Sequence, residues 1–272
     1  MSTEADGWML AEEWFDGAAK ILDYIRTTQS EQIKETSKLA AKAIAGGGFV
    51  HLFGTGHSRI PLEEMFPRYG SFPGFHPMAE LSMTFHTQVT GANGQRQAMF
   101  IERIEGLGEV ILSNFSFGED DVVIVFSAGG TTAVPIDVAI GAKQRGMPVV
   151  AVTAVEHSLA GTSGHSSGTR LLDHADIVID LGIPVGDSLV QVGGIETRVG
   201  PGSTISNVAI VNAIKVMTAC ILESMGKLPP VLSSGSVVGA DRAPELFEQA
   251  YEDHGNRMSR LLGSDRDEAG ER

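Results

Sequence analysis

Two short stretches concentrate residues that could do chemistry. In Phe53-Gly54-Thr55-Gly56-His57-Ser58-Arg59, two glycines, two hydroxyls and a cation follow directly on the apolar run Phe49–Phe53. In Ser127-Ala128-Gly129-Gly130-Thr131-Thr132, three hydroxyls and two glycines follow the apolar run Val122–Phe126. Glycines in such loops let main-chain N–H groups approach a ligand closely, and hydroxyls at the start of a helix add donors for an oxyanion. The two loops together suit the oxygens of a single phosphate gripped from both sides. Arg59 stands where G-x-G-x-x-G requires its third glycine, and no Gly-Lys-Ser/Thr follows, so neither a dinucleotide fingerprint nor a Walker loop is present.

Acids and bases lie close by in sequence. Glu63 and Glu64 fall on the first turns of a short helix predicted after the first loop. Glu102 and Glu105 are spaced i,i+3 in IERIEG and so share one helix face. His57, inside the first loop, can move a proton or contact a sugar, and loop packing explains it equally well. Arg59 and Arg68 can neutralise oxyanions or form surface ion pairs. The eight histidines and single cysteine form no H-E-x-x-H or Cys/His cluster, so no metal is expected.

Elements that could position these groups are legible in the apolar patterning. Residues 8–45 carry helical spacing, as two helices or one kinked helix, with Ser30 available as a cap for the second part. Strands are predicted at 49–53, 122–126, 148–153 and 177–181. Helices are predicted from Pro61, over about 94–113, 132–145, 203–226 and 243–262, while 78–83 is ambiguous. The strands are near-continuous apolar runs separated by helix-length segments, which implies a parallel, doubly wound α/β sheet covered on both faces. Ligands of such sheets bind at the carboxyl ends of strands, where both loops fall.

The bulk properties narrow the field. A formal net charge of −14 argues against nucleic-acid and anionic-membrane surfaces. No uninterrupted apolar run reaches the roughly 20 residues of a membrane span, and the acidic start MSTEADGWML lacks a signal-peptide core. A cytoplasmic location is expected. Cys220 lies in an apolar helical pattern and reads as a buried thiol, and Trp8 and Trp14 read as helix-packing residues.

The first loop, SAGGTT and the crossover ending KQRGMPVVAVT together resemble the SIS (sugar isomerase) domain, over roughly residues 35–225. The phosphoheptose-isomerase branch and its uncharacterised relatives, which carry segments like HSSGTRL (165–171) and PVGDS (184–188), are the nearest in pattern. The resemblance implies a five-stranded parallel sheet of flavodoxin-like topology that binds a phosphorylated sugar without a cofactor. It implies an SIS domain over 46–228, which the N-terminal helical segment over 1–45 joins as part of the same domain and a C-terminal extension over 229–262 follows. The tail over 263–272 lacks apolar residues and is expected to be disordered. It also implies a homodimer or homotetramer with the site near the subunit interface.

By that resemblance Gly54, Thr55, Gly56, Ser58 and Arg59 form one phosphate loop, with Ser127, Gly129, Gly130, Thr131 and Thr132 opposite. Gly129 stands where the family's S-x-S-G-x-S/T loop has its middle serine. The order E-E-x-x-x-R-Y matches Glu64 to the catalytic glutamate of phosphoheptose isomerases. Glu64 also falls on the E-x-x-P-x-x-G stretch of N-acetylmuramic acid 6-phosphate etherases, with Glu105 as their second acid. A histidine on the 203–226 helix, expected of the isomerases, is absent, and His254 is the one histidine further along. Three activities stay open: aldose–ketose isomerase, two-glutamate lyase or etherase, and non-catalytic phosphosugar sensor.

Overall fold

The computed structural model describes residues 4–84 and 94–263. The expected disordered tail, beyond Gly263, lies outside the described residues. Five strands form one all-parallel sheet: β1 (Val50–Gly54), β2 (Phe75–Met78), β3 (Val122–Phe126), β4 (Val149–Thr153) and β5 (Ile177–Asp180), in the order β2-β1-β3-β4-β5. This is the doubly wound, flavodoxin-like order, whose strand sequence reverses between β1 and β3. Register places Gly54 opposite Phe126, so the two glycine-rich loops leave the sheet side by side.

Helices cover both faces, as the apolar strands require. One face carries α1 (Glu4–Thr28), α2 (Ser30–Ala45), α3 (Ile60–Met65) and α8 (Ser203–Ser224), packed through Ile21, Ile44, Leu62, Ile210 and Ile214 onto Val50, Leu52, Ile124 and Val152. The other face carries α5 (Leu107–Leu112) and α6 (Ala133–Gln144), packed through Leu112, Val134 and Val138 onto Phe53, Val123, Val125 and Ala151. The remaining helices are α4 (Gly94–Ile101), α7 (Val155–Ala160), α9 (Gly235–Val238) and α10 (Arg242–Leu262). Helix α10 is tied down by Arg257, whose buried guanidinium donates to the carbonyls of Ile44 (3.1 Å) and Gly48 (2.6 Å) and pairs with Asp253.

Several local expectations change. The helix expected over 94–113 is broken between Ile101 and Leu107, where Gly106 adopts φ 89° and Asp137 accepts its N–H at 2.6 Å. Phe75–Met78 pairs in parallel with β1, although its Pro77 and ambiguous surroundings hide a strand. Ser30 is the first residue of α2 rather than its cap, and Gln29 occupies the cap position without a side-chain capping bond. Cys220 is exposed and not buried. Trp14 Nε1 donates to the Pro201 carbonyl at 3.2 Å, but Trp8 is 61% exposed.

Helix α8 is long and apolar enough, by length and composition, to cross a membrane, contrary to the count of uninterrupted apolar residues. Asn207, Asn212 and Lys215 interrupt that count. Here Ser206, Asn207 and Lys215 are buried with Ile210, Val211 and Ile214 beneath the sheet and α2, as in a core helix of a globular domain.

Candidate functional site

The loop after β1 is shaped by its first glycine. A Cβ on Gly54 would lie 2.2 Å from the Ser58 carbonyl oxygen, so the chain can turn this tightly only over glycine. Gly56–Arg59 then forms a 3₁₀ turn, begun by Gly56 at φ 56° and closed by Ser58 N–H donating to the Thr55 carbonyl at 3.0 Å. The loop after β3 uses Gly130 at φ 60°, whose N–H donates to Ser127 Oγ at 3.2 Å. Thr132 holds the N-cap position of α6 with extended backbone, yet its side chain makes no capping hydrogen bond. That hydroxyl is therefore not spent on finishing the helix.

Both loops border one pocket of about 240 Å³ at the carboxyl ends of β1 and β3, the reversal point of the sheet. Thr55, Gly56, His57, Ser58, Ser127, Gly129 and Thr132 line it. Gly54, Arg59, Gly130 and Thr131 do not: they shape or brace the loops. Arg59 pairs with Glu63 at 2.8 Å, and the Thr131 carbonyl accepts the Gly164 N–H at 2.8 Å.

The glutamates separate in space. Glu102, not Glu105, lines the pocket, where it accepts a hydrogen bond from Thr55 Oγ1 at 2.6 Å. Burial pushes its carboxyl above the usual carboxylate range, and the Thr55 hydroxyl only partly offsets that push. Glu105 is exposed and points to the 161–171 segment, where it accepts the Ser166 N–H at 2.9 Å and the Ser166 hydroxyl. Those bonds hold it below the usual range.

Glu64 faces α8 and is not part of the pocket wall. Burial works against its charge, but the Asn212 amide (3.2 Å) and Arg68 (2.7 Å), with Lys215 at 4.0 Å, hold it ionised and below the ordinary value. His254 packs against Phe49 and Phe66 and is not among the residues lining the pocket. Among the described residues, no group of three or more His, Cys, Asp or Glu side chains is arranged to hold a metal ion.

Three further residues complete the pocket: Asp187, Ser203 and Asn207. Asp187 comes from PVGDS and has φ 52°, the one positive value for a non-glycine residue among those described. Its carboxylate accepts the N–H groups of Gly202 (3.0 Å) and Ser203 (2.8 Å) and the Ser203 hydroxyl, closing the N-terminus of α8. The PVGDS motif and the serine at the start of the 203–226 helix were visible signals. Their meeting beside the loops depends on a long return from β5 that no local pattern encodes.

This sheet order, with two hydroxyl-and-glycine loops meeting at its switch point, defines a class of protein. The profile of the SIS domain matches residues 13–154, and the chain belongs to the SIS domain family. More narrowly, it is 31% identical over 242 residues to a UPF0309 protein of Oceanobacillus iheyensis, covering 89% of this chain and 96% of that one. A UPF0309 protein of Listeria monocytogenes is 31% identical over 254 residues, covering 93% and 99%. The fold is shared with the structure of a phosphoheptose isomerase from Francisella tularensis, at a TM-score of 0.51 and 15% identity, covering 80% of this chain and 98% of that one.

Proposed function

We propose that this chain binds a phosphorylated sugar in the pocket between the two loops and acts on it by proton transfer, as an aldose–ketose isomerase needing no redox cofactor. The observation that carries the reading is the pairing of the Thr132 hydroxyl, free of any capping bond, and the Ser127 and Ser58 loops with a half-buried carboxyl, Glu102, in one pocket. The loops offer hydroxyl and main-chain donors to the phosphate at the positive end of α6. The sugar carbon next to the carbonyl then falls on the Glu102 side of the pocket.

Isomerisation moves a proton from C2 to C1 through an enediol, and a second group relays the proton between the two oxygens. A carboxyl raised above its ordinary value suits both halves of the first task near neutral pH, since it takes a proton readily and gives it back. In this reading His57, which lines the same pocket, carries the oxygen-to-oxygen relay. Glu64, ionised and engaged by α8, fixes the packing of α3 behind the first loop in this arrangement.

The lyase reading is favoured by one observation, the same raised carboxyl of Glu102, which could protonate a departing oxygen. A single experiment separates these. The protein is screened by thermal shift against sugar phosphates and the corresponding free sugars, and hits are incubated in D₂O and followed by proton NMR. Stabilisation by the phosphorylated forms alone, with deuterium entering at C1 or C2 and lost in Glu102→Gln, is the expected outcome. Release of a fragment from an ether-bearing sugar phosphate would replace isomerase by lyase. Stabilisation with neither exchange nor release would mean a sensor, and no stabilisation would remove phosphosugar binding altogether.

A further inference from the structure

The pocket is lined by two sets of groups of opposite hydrogen-bonding character. Ser58, Ser127, Thr132 and the glycine N–H groups of the two loops supply donors, while the Thr55 hydroxyl is spent on Glu102. Glu102, Asp187, Ser203 and Asn207 supply acceptors. The Ser203 hydroxyl hydrogen is committed to Asp187. Asn207 is 4% exposed and spends its amide nitrogen on the Ser203 carbonyl at 2.8 Å, which fixes the side-chain oxygen as the group left over. That buried oxygen has no donor among the described residues.

An amide oxygen left unpaired in a buried site carries its desolvation cost uncompensated, so it calls for a ligand or water donor. Asp187 has capacity too: one carboxylate oxygen takes two N–H groups, and the other takes only the Ser203 hydroxyl. Its backbone is held at φ 52°, a conformation that a non-glycine residue keeps only when its surroundings impose it.

We propose that Asp187 and Asn207 read the end of the ligand opposite its phosphate, selecting phosphorylated sugars that present hydroxyl or amino donors there over phosphorylated sugar acids. The inference rests on the phosphosugar reading above and adds its selectivity. A donor would complete Asn207 Oδ1 and the open side of Asp187. A ligand carboxylate in the same place would meet the carboxyl groups of Asp187 and Glu102, with no Lys or Arg among the pocket-lining residues to compensate.

Isothermal titration of the full chain tests this with inorganic phosphate, glucose 6-phosphate, fructose 6-phosphate, ribose 5-phosphate and the acid 6-phosphogluconate. The wild type is expected to bind at least one neutral sugar phosphate about tenfold tighter than the acid, and Asn207→Leu to lose about tenfold for that sugar phosphate while inorganic phosphate changes by less than about twofold. Asp187→Asn keeps a residue that tolerates the left-handed backbone and is expected to shrink the sugar-over-acid ratio about fivefold. A ratio is unaffected by how much protein is folded. Sugar phosphate binding unchanged in both variants, or phosphate and sugar phosphate lost in equal proportion, would overturn the proposal. So would a wild type that binds phosphate but not sugar phosphates in preference to the acid, and phosphosugar binding would then stand without this selectivity. A wild type that binds no phosphorylated compound overturns both.

Discussion

Glu102 and Glu64 are thirty-eight positions apart in a chain whose glutamates look alike, and their surroundings make them different acids (102 − 64 = 38). Glu102 has burial and one hydroxyl, whereas Glu64 has an amide and two cations. Glu102→Gln keeps the shape and removes the titrating proton, so solvent exchange of the sugar proton should fall about 10²–10⁴-fold with ligand-dependent stabilisation retained. Glu64→Gln should lower exchange far less, and side-by-side NMR exchange rates check both. Retained exchange in Glu102→Gln with loss in Glu64→Gln would move the base to α3. Thr132→Val makes a second residue-scale test. Its hydroxyl caps nothing, so unfolding free energy should change by less than about 0.5 kcal/mol. The thermal shift given by sugar phosphate should nevertheless shrink. A large loss of stability without ligand would show the hydroxyl to be a cap after all.

The two loops are the elements on which the site depends, and each hinges on one glycine for a different reason. At Gly54 the obstacle is steric, since a methyl group would meet the Ser58 carbonyl at 2.2 Å and force the 3₁₀ turn open. At Gly130 it is both conformational and steric, with φ 60° and a Cβ 2.8 Å from Ser158 Oγ and Thr153 Oγ1. Left-handed backbone costs a residue with a side chain about 1–2 kcal/mol before any contact is counted. Gly54→Ala is expected to abolish sugar-phosphate-dependent stabilisation while the sheet persists by circular dichroism. Gly130→Ala should lower unfolding free energy by about 2 kcal/mol or more. Denaturant titration and thermal shift read the two effects separately. The helix break between Ile101 and Leu107 belongs at this scale too, because it takes Glu102 and Glu105 off a common helix face despite their i,i+3 spacing.

At the scale of the whole molecule, the amino end of the sheet holds a buried cluster of two histidines and an aspartate, away from the pocket. His51 Nδ1 lies 2.9 Å from His76 Nδ1, and His51 Nε2 lies 3.0 Å from Asp121. Burial, then the neighbouring His51 and His254, lowers His76 to about 3. Between about pH 6.5 and 3 the unfolded chain therefore binds a proton at this residue that the folded chain refuses. Stability is full above 6.5 and falls with acid, with His76 contributing a slope of about 1.4 kcal/mol per pH unit. His254 and His174, also lowered by burial, add to the fall. Denaturant titrations at pH 7 and 5 should show the loss, and His76→Gln should flatten it; an equal slope in the variant would assign the effect elsewhere. Subunit contact is the other prediction at this scale. The outer side of α8 exposes Val216 and Cys220, and α1 exposes Phe15, an apolar surface of the kind that subunits cover. Light scattering is expected to give a dimer or tetramer, and Val216→Glu a smaller species. A monomeric wild type would set the expectation aside.

Local order was legible from the residues alone: strand, glycine turn and helix recur because apolar runs, turn residues and helical spacing act within a few positions. That is why β3, both loops and α6 could be read in place, and why both loops could be expected at the carboxyl ends of their strands. Parallel pairing was implied as well, because uniformly apolar strands must be covered on both faces. What the tertiary structure decided is long-range. Phe75–Met78 becomes a strand by pairing with β1 despite its proline, and Glu102 rather than Glu105 enters the pocket because α4 and α5 part between Ile101 and Leu107. Asp187 and Asn207 reach the loops only by the return of the chain from β5. Side-chain burial and neighbours, which separate the charge states of identical carboxyls, arise from contacts across the whole fold, and spacing along the chain does not encode them.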